Sequence, residues 1–104
     1  MTWATKYIKQ LRIGETIQFR PCGNSMKGKI ESGNLVTVRP VLEDEDLEIG
    51  MIVLCRVGRN DYLHLIKNMN PRINAYCIGN NKGRINGLCH RSQIYGIVTK
   101  IEDG

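Results

Sequence analysis

An apolar stripe of helical period is the first pattern along the chain. Polar and basic residues separate its members, which are Trp3, Tyr7, Ile8 and Leu11. These positions share one face of a helix with about 3.6 residues per turn, and the polar residues take the other face. Thr2 is suited to cap the start, and Gly14 is suited to end the segment. The pattern predicts one amphipathic helix over about residues 3–12, which covers the domain core with its apolar stripe.

Short apolar and β-branched runs make up most of the remaining chain. Six of them have the length and pattern of β-strands: 16–20, 35–38, 51–57, 62–66, 75–78 and 93–99. Residues 51–57 are almost continuously apolar, which is typical of a buried strand. Gly, Asn and Pro fill the gaps, and Asn86-Gly87 is a typical turn pair. The sequence therefore predicts a single, mostly β domain: a small β-barrel with one N-terminal amphipathic helix.

Composition bounds the size and setting of the protein. The 104 residues, 41% of them apolar and 24% charged, fit one globular domain over residues 1–104. No run approaches the roughly 20 apolar residues of a transmembrane helix. The N-terminal residues also lack the apolar region of a signal peptide. We therefore expect a cytoplasmic protein without a membrane anchor.

The charge pattern argues against a phosphate-binding surface. A net charge of +5 and a pI of about 9.2 invite a nucleic-acid hypothesis. The basic residues are spread thinly, however, whereas acidic ones concentrate in residues 43–48. Because a nucleic-acid interface needs a contiguous basic stripe, this function is disfavoured and stays a third hypothesis.

The cysteines give no sign of a metal or redox centre. The four are Cys22, Cys55, Cys77 and Cys89, and no two of them form a C-x-x-C pair. That spacing argues against a zinc knuckle and against a thioredoxin motif. We expect reduced, mostly buried thiols, and neither a metal nor a cofactor.

The segment over residues 23–38 carries the most specific signal. It contains Ser25-Met26, a short polar loop, the Gly33-Asn34 turn and the apolar run 35–38. This order resembles the nucleophile segment shared by LexA-type repressors and type I signal peptidases. In that superfamily a Ser-Met pair precedes a Gly-Asp turn and an apolar strand. Two departures are Asn34 for the usual Asp, and Gly28 where signal peptidases usually carry Pro.

Three further segments match the superfamily in chain order. They are residues 48–53, Gly79-Asn80-Asn81 and residues 94–98. They are similar, respectively, to its Gly-Asp-Ile-Val turn and strand, its Gly-Asp-Asn box and its closing Ile-x-Gly-x-Val strand. The resemblance covers most of the chain and implies a LexA/signal-peptidase-like barrel with serine peptidase activity.

The resemblance implies Ser25 as the nucleophile and His64 as its general base. The superfamily usually carries a lysine base on the strand after the second turn, and His64 holds that place in residues 62–66. Endoplasmic-reticulum-type and archaeal signal peptidases make the same exchange. A serine hydroxyl needs a neighbouring proton acceptor, and imidazole with its ordinary pKa of about 6.5 can serve. The alternative for His64 is a half-buried strand histidine bonded to backbone. Lys67 falls on the opposite strand face and is the poorer base.

A third group should orient the histidine. In the His-type relatives it is an Asp in or near the Gly-Asp-Asn box, so Asn80 is the candidate orienter here. An amide oxygen can orient an imidazole, but it cannot stabilise an imidazolium by charge. Asp61 ranks below Asn80 because we expect it in a turn. The alternative for Asn80 is ordinary turn chemistry.

The resemblance also implies an oxyanion hole beside the nucleophile. Some signal peptidases add a serine hydroxyl two residues before it, and Gly23 at that place offers only its backbone. Losing one such donor typically costs about 10²- to 10³-fold in turnover. We expect the Ser25 N–H to hold the oxyanion, with Gly23 and Met26 shaping the substrate groove.

Two hypotheses follow for the function. The leading one is a serine endopeptidase with a Ser25–His64 dyad, which cleaves an extended peptide or protein segment docked as an added β-strand. Because 24 residues precede Ser25, too few for a repressor's helix-turn-helix domain, we expect a stand-alone soluble catalytic domain. The alternative is a catalytically inactive peptide- or protein-binding module on the same fold, which the neutral Asn80 favours.

Overall fold

One α-helix and seven β-strands make up the helices and strands of residues 2–103, the part of the chain that the computed structural model describes. They are α1 (Thr5–Arg12), β1 (Ile17–Phe19), β2 (Leu35–Pro40), β3 (Ile52–Val57), β4 (Asn60–Asn70), β5 (Ala75–Gly79), β6 (Ile85–His90) and β7 (Ile94–Glu102). Two short 3-10 turns follow β4 and β6. The mostly β class with one N-terminal helix, predicted from the sequence, is confirmed.

All seven strands belong to one antiparallel sheet. Their order across it is β1-β2-β7-β3-β4-β5-β6. Within residues 2–103 the edge strands β1 and β6 do not pair, so the sheet is open where the sequence predicted a barrel. One reason is that β1 has only three residues before Arg20 and Pro21. Pro21 has no N–H with which to extend the hydrogen-bond ladder.

Buried apolar side chains cover both faces of the sheet. The cluster beneath α1 includes Ile8, Leu11, Val36, Val38 and Leu54. The cluster on the opposite face includes Val53, Cys55, Ile66, Ile78 and Ile97. Successive residues of β3 alternate between these clusters, which explains why residues 51–57 are almost continuously apolar. The predicted burial of this strand is confirmed.

The helix begins two residues later than the sequence predicts. Thr2 accepts a hydrogen bond from the Ala4 N–H at 3.3 Å and donates its hydroxyl to the carboxylate of Asp61. These contacts fix residues 2–4 as a turn against β4, so the helix starts at Thr5. Gly14 has a φ of +91°, a conformation that favours glycine and ends the helix as predicted. Among the described residues, no helix combines the length and the apolar composition that crossing a membrane requires.

Strand β6 replaces the turn that the sequence predicts at Asn86-Gly87. Ile78 of β5 pairs with Gly87 and Gly79 pairs with Ile85, so Asn86 is one extra residue opposite β5. This arrangement is a β-bulge, in which the extra residue bends the strand and redirects a side chain. Gly87 has a φ of +141°. The glycine therefore serves a bulge inside a strand instead of a reversal of the chain.

Candidate active site

Ser25 lies in the loop between β1 and β2, at the start of a tight turn. The N–H groups of Lys29 and Ile30 donate to the Met26 carbonyl at 2.9 and 2.8 Å. The Met26 side chain is 5% exposed and belongs to the core cluster beneath α1. Met26 therefore anchors the turn in the core and leaves Ser25 half-buried at its edge.

The turn after β5 fastens this loop from the other side. The Asn81 N–H donates to the Ser25 carbonyl at 3.0 Å, and the Asn81 side-chain amide donates to the Lys27 carbonyl at 2.8 Å. These two bonds join segments far apart in the chain. Asn81 thus holds the Ser25 loop in position without contacting the serine hydroxyl.

Asn80 does not orient His64, contrary to the expectation from the sequence. Its Oδ1 atom accepts hydrogen bonds from the N–H groups of Lys82 and Arg84 at 2.8 and 2.9 Å. The side chain is buried and closes its own turn. Asn80 lines the site, but its oxygen is committed to the backbone, which is the alternative that the sequence left open.

His64 is held in the middle of β4. It pairs with Val53 of β3, is 6% exposed and lies between the buried residues Leu63 and Leu65. Tyr62, two residues earlier on the same strand face, stacks on the imidazole with ring centroids 4.9 Å apart and an interplanar angle of 26°. Packing therefore fixes the ring, and Tyr62 is a neighbour that the sequence did not single out.

The imidazole joins the serine to an asparagine. His64 Nε2 lies 3.0 Å from Ser25 Oγ, and His64 Nδ1 lies 2.6 Å from Asn86 Oδ1. An amide oxygen can only accept, so the proton of the neutral ring is on Nδ1 and donates to Asn86. Nε2 then carries the lone pair and accepts the Ser25 O–H. This tautomer is the one that a general base toward Ser25 requires.

Asn86 is the site residue that sequence reasoning missed. The Asn-Gly pair indicates a turn locally, but its apolar neighbours Ile85, Leu88 and Cys89 were the available signal for a strand. The bulge at Asn86 brings the side-chain amide to His64. Bulges are frequent next to active sites, where they redirect a side chain.

Burial sets the protonation state of the imidazole. It disfavours the charged ring and so lowers the pKa of His64, and the hydrogen bond to Asn86 offsets part of that effect. At neutral pH the ring is therefore uncharged and ready to accept a proton. The imidazolium formed on proton transfer would face an amide dipole instead of a carboxylate.

Asp61 has a structural role instead of an orienting one. It lies in β4, not in the expected turn, and its carboxylate accepts from Arg56 Nε at 2.7 Å and from the Thr2 hydroxyl. Burial alone would raise the pKa of Asp61, but the hydrogen bonds from Arg56 and Thr2 outweigh it and lower the pKa. The Asp61 carbonyl also accepts from the Trp3 indole at 3.3 Å. The residue ties the N-terminal turn to the sheet.

The loop offers donors for an oxyanion. Within residues 2–103 the N–H groups of Ser25 and Met26 have no acceptor. Gly23 has a φ of +95°, and nothing lies within 4 Å of the position that a Cβ atom would take. The space at this position is therefore open, and Gly23 lines the cavity described next.

A cavity of about 770 Å³ opens over the serine and the imidazole. Its apolar part includes Trp3, Tyr7, Phe19 and Leu63, and the loop 20–23 forms another wall. Asn80, Arg84 and Asn86 complete the polar part. A volume of this size is typical of ligand sites. Lys67, the poorer base candidate, is not among the described residues that line the cavity.

Comparison with known proteins adds no relative. No protein-family model, no curated protein sequence and no solved structure matches this chain. The resemblance to LexA-type repressors and signal peptidases therefore stays a prediction.

Proposed function

We propose that this protein is a serine peptidase. In this proposal Ser25 is the nucleophile, His64 is the general base and Asn86 orients His64. The supporting observation is the continuous hydrogen-bonded chain from Ser25 Oγ to His64 Nε2 at 3.0 Å and from His64 Nδ1 to Asn86 Oδ1 at 2.6 Å. Both distances lie in the range in which proton transfer and orientation operate.

In acylation Ser25 is the nucleophile, and His64 first accepts a proton and then donates it. Ser25 Oγ attacks the carbonyl carbon of the scissile peptide bond, and its proton moves to His64 Nε2. The carbonyl oxygen becomes an oxyanion that the N–H groups of Ser25 and Met26 stabilise. When the intermediate collapses, the C–N bond breaks and the leaving amine takes the proton from Nε2. The product is an ester between the substrate acyl group and Ser25.

Deacylation reverses the roles with water in place of the amine. His64 Nε2 takes a proton from a water molecule, and the resulting hydroxide attacks the ester carbonyl. The C–O bond to Ser25 breaks, the proton returns to Oγ and the carboxylic acid leaves.

The neutral partner of His64 limits the rate in this proposal. Asn86 presents its oxygen to Nδ1, so it preserves the tautomer that accepts the Ser25 proton. It supplies no charge to the imidazolium that forms during acylation. We therefore expect turnover below that of enzymes with an acidic third residue.

In this proposal an extended substrate docks along the outer edge of strand β1. Within the described residues β1 pairs only with β2, so the outer edge of β1 carries unpaired backbone groups. This strand leads into the loop that carries Ser25, and Phe19 at its end lines the cavity. A peptide added at this edge would run toward the serine.

The second candidate function is a peptide-binding module without catalysis. The observation that favours it is the amide of Asn86 in the place where a carboxylate would stabilise charge. Such a module would keep the cavity and bind without forming a covalent intermediate.

A fluorophosphonate probe separates the two candidates, because it reacts only with an activated serine. We expect labelling of the wild type and none of Ser25→Ala or His64→Ala. The matched control is Ser92→Ala, which removes another serine that contacts a histidine, His90, outside this cavity; it should label like the wild type. Absence of labelling in a wild type with native circular dichroism would reject the peptidase and favour the binding module.

A further inference from the structure

One wall of the cavity is an aromatic cluster that has no role in the proton transfer. Tyr7 and Phe19 stack with ring centroids 4.5 Å apart, and Trp3 lies 5.6 Å from Phe19. Trp3 remains 49% exposed although it contacts this cluster and lines the cavity. Exposed aromatic surface inside a cavity marks a place where an apolar group can be buried. The wall therefore suits a large apolar side chain of a ligand.

Most charged groups that line the cavity are cationic. Its cationic lining residues in the described part of the chain are Lys6, Arg20 and Arg84. The single lining carboxylate in that part, Asp61, is already paired with Arg56 and Thr2. The acidic run of residues 43–48 contributes no lining residue. We therefore infer a positive electrostatic potential in the cavity. It comes from the local excess of cationic lining residues as well as from the net charge of +5.

The cations flank both the aromatic wall and the catalytic side chains. Lys6 Nζ lies 4.9 Å from the centre of the Tyr7 ring, and Arg20 directly follows Phe19. Arg84 precedes Asn86 by two residues and, like Asn86, lines the cavity. Lys6 and Arg84 are exposed and have no carboxylate partner within residues 2–103. They are therefore available to bind anionic groups of a ligand.

We propose that the cavity selects an extended peptide in which a large apolar side chain is flanked by acidic residues. The aromatic wall buries the apolar side chain, and Lys6 and Arg84 pair with the carboxylates on either side of it. This inference rests on the proposed function for the reaction that follows, but the selectivity is a property of binding. It can be measured on a protein that does not react.

Trp3 supplies the signal for that measurement. It is the chain's one tryptophan and it lines the cavity, so its fluorescence reports occupancy directly. Ser25→Ala removes the nucleophile and keeps the lining. Three synthetic peptides would be titrated into this variant: a phenylalanine flanked by glutamates, the same peptide with lysines, and the glutamate peptide with alanine for phenylalanine. We expect the first to change the Trp3 emission at the lowest concentration, and the effect to weaken with added salt.

Charge reversals in the Ser25→Ala background locate the contact. Lys6→Glu and Arg84→Glu should each weaken binding of the glutamate peptide about three- to tenfold, since each replaces an attraction with a repulsion. Their matched controls are Lys9→Glu on the same helix and Lys82→Glu in the same turn, which do not line the cavity. The controls should bind like the parent.

Each outcome decides the proposal separately from the peptidase assignment. Equal or tighter binding of the lysine peptide, equal loss in the control variants, or no binding of any peptide would overturn the selectivity. If the selectivity holds but the wild type does not react with a fluorophosphonate, the peptidase fails and the binding inference stands. If the wild type reacts and the peptides show no preference, the selectivity alone fails.

Discussion

The Nε2 atom of His64 lies 3.0 Å from the Oγ atom of Ser25, although 39 positions separate the two residues in the chain. The loop after β1 brings the serine, and β4 brings the imidazole. Met26 fixes the loop from within the core, and Asn81 fixes it from the turn after β5. Both partners of the hydrogen bond are therefore held by packing before any substrate arrives, which is what preorganised proton transfer needs.

Removing the side-chain amide of Asn86 should impair His64 as the general base. In Asn86→Ala the Nδ1 proton loses its acceptor and the ring is no longer oriented, so fluorophosphonate labelling should slow by about 10²- to 10⁴-fold. Asn86→Asp should speed labelling above pH 7 and raise the pKa of His64, because an anion favours imidazolium. Asn68→Ala, which changes an exposed asparagine of β4 outside the cavity, is the control. Labelling of Asn86→Ala at the wild-type rate would remove Asn86 from the mechanism.

The buried imidazole should also make stability depend on pH. The pKa of His64 is lower in the folded protein than in the unfolded chain. Below about pH 6.5 the unfolded chain therefore binds the proton more readily, and the free energy of unfolding falls as pH falls. Hydrogen bonds from Arg39 lower the pKa of Glu45 to about 2, so the loss from that carboxyl group comes at lower pH.

Thermal melts between pH 7.5 and 5.5, a range that brackets the ordinary imidazole pKa of about 6.5, check this expectation. The wild type should lose more stability across the range than His64→Gln, which has no group to titrate there. Equal losses in the two proteins would show that His64 is not desolvated as described.

Replacing the Asp61 carboxylate should lower the stability of the protein and leave the reactivity of Ser25 intact. Asp61→Asn weakens the bonds to Arg56 and Thr2 and should lower the free energy of unfolding by about 1–3 kcal/mol. We expect a loss in the lower half of that range, because the Arg56 side chain is 36% exposed and solvent partly screens its charge. Denaturant unfolding measures the loss. The variant should still label at Ser25, and loss of labelling with an intact fold would instead place Asp61 in the proton-transfer machinery.

A substitution at Gly87 should distort the bulge that carries Asn86. An alanine there would meet Val57 Cγ1 at 3.0 Å and would hold a φ of +141°. Gly58→Ala is the matched control, since Gly58 also has a positive φ but nothing lies within 4 Å of its Cβ position. Both variants should lose about 1–3 kcal/mol of stability from backbone strain. Gly87→Ala alone should also lose labelling, because it displaces Asn86, and equal labelling of the two would contradict this.

The order of apolar and polar residues along the chain was sufficient to predict the central buried strand of the sheet. The continuous apolar run of residues 51–57 predicts a strand buried on both faces, and β3 is such a strand. The resemblance around Ser25-Met26 indicates the serine, and the place of the superfamily's lysine base indicates His64. Their proximity in the structure agrees with that pairing, whereas their catalytic role stays a prediction.

The predictions that the structure corrects have separate physical causes. Asn86-Gly87 has the local chemistry of a turn, but Ile85 pairs with Gly79 and Gly87 pairs with Ile78, so Asn86 forms a bulge inside β6. The start of α1 is set by the contact between Thr2 and Asp61, which is 59 residues away. The resemblance to the Gly-Asp-Asn box indicates Asn80 as the orienter, but the Asn80 side-chain oxygen closes its own turn.

The rate of fluorophosphonate labelling as a function of pH tests the central claim most directly. We expect one adduct, located on Ser25 by peptide mass mapping, with a rate that rises through a single midpoint below about pH 6.5. His64→Gln should lower the plateau by about 10²- to 10⁴-fold. A folded wild type that forms no adduct, or a His64→Gln variant that reacts at the wild-type rate, would contradict the account.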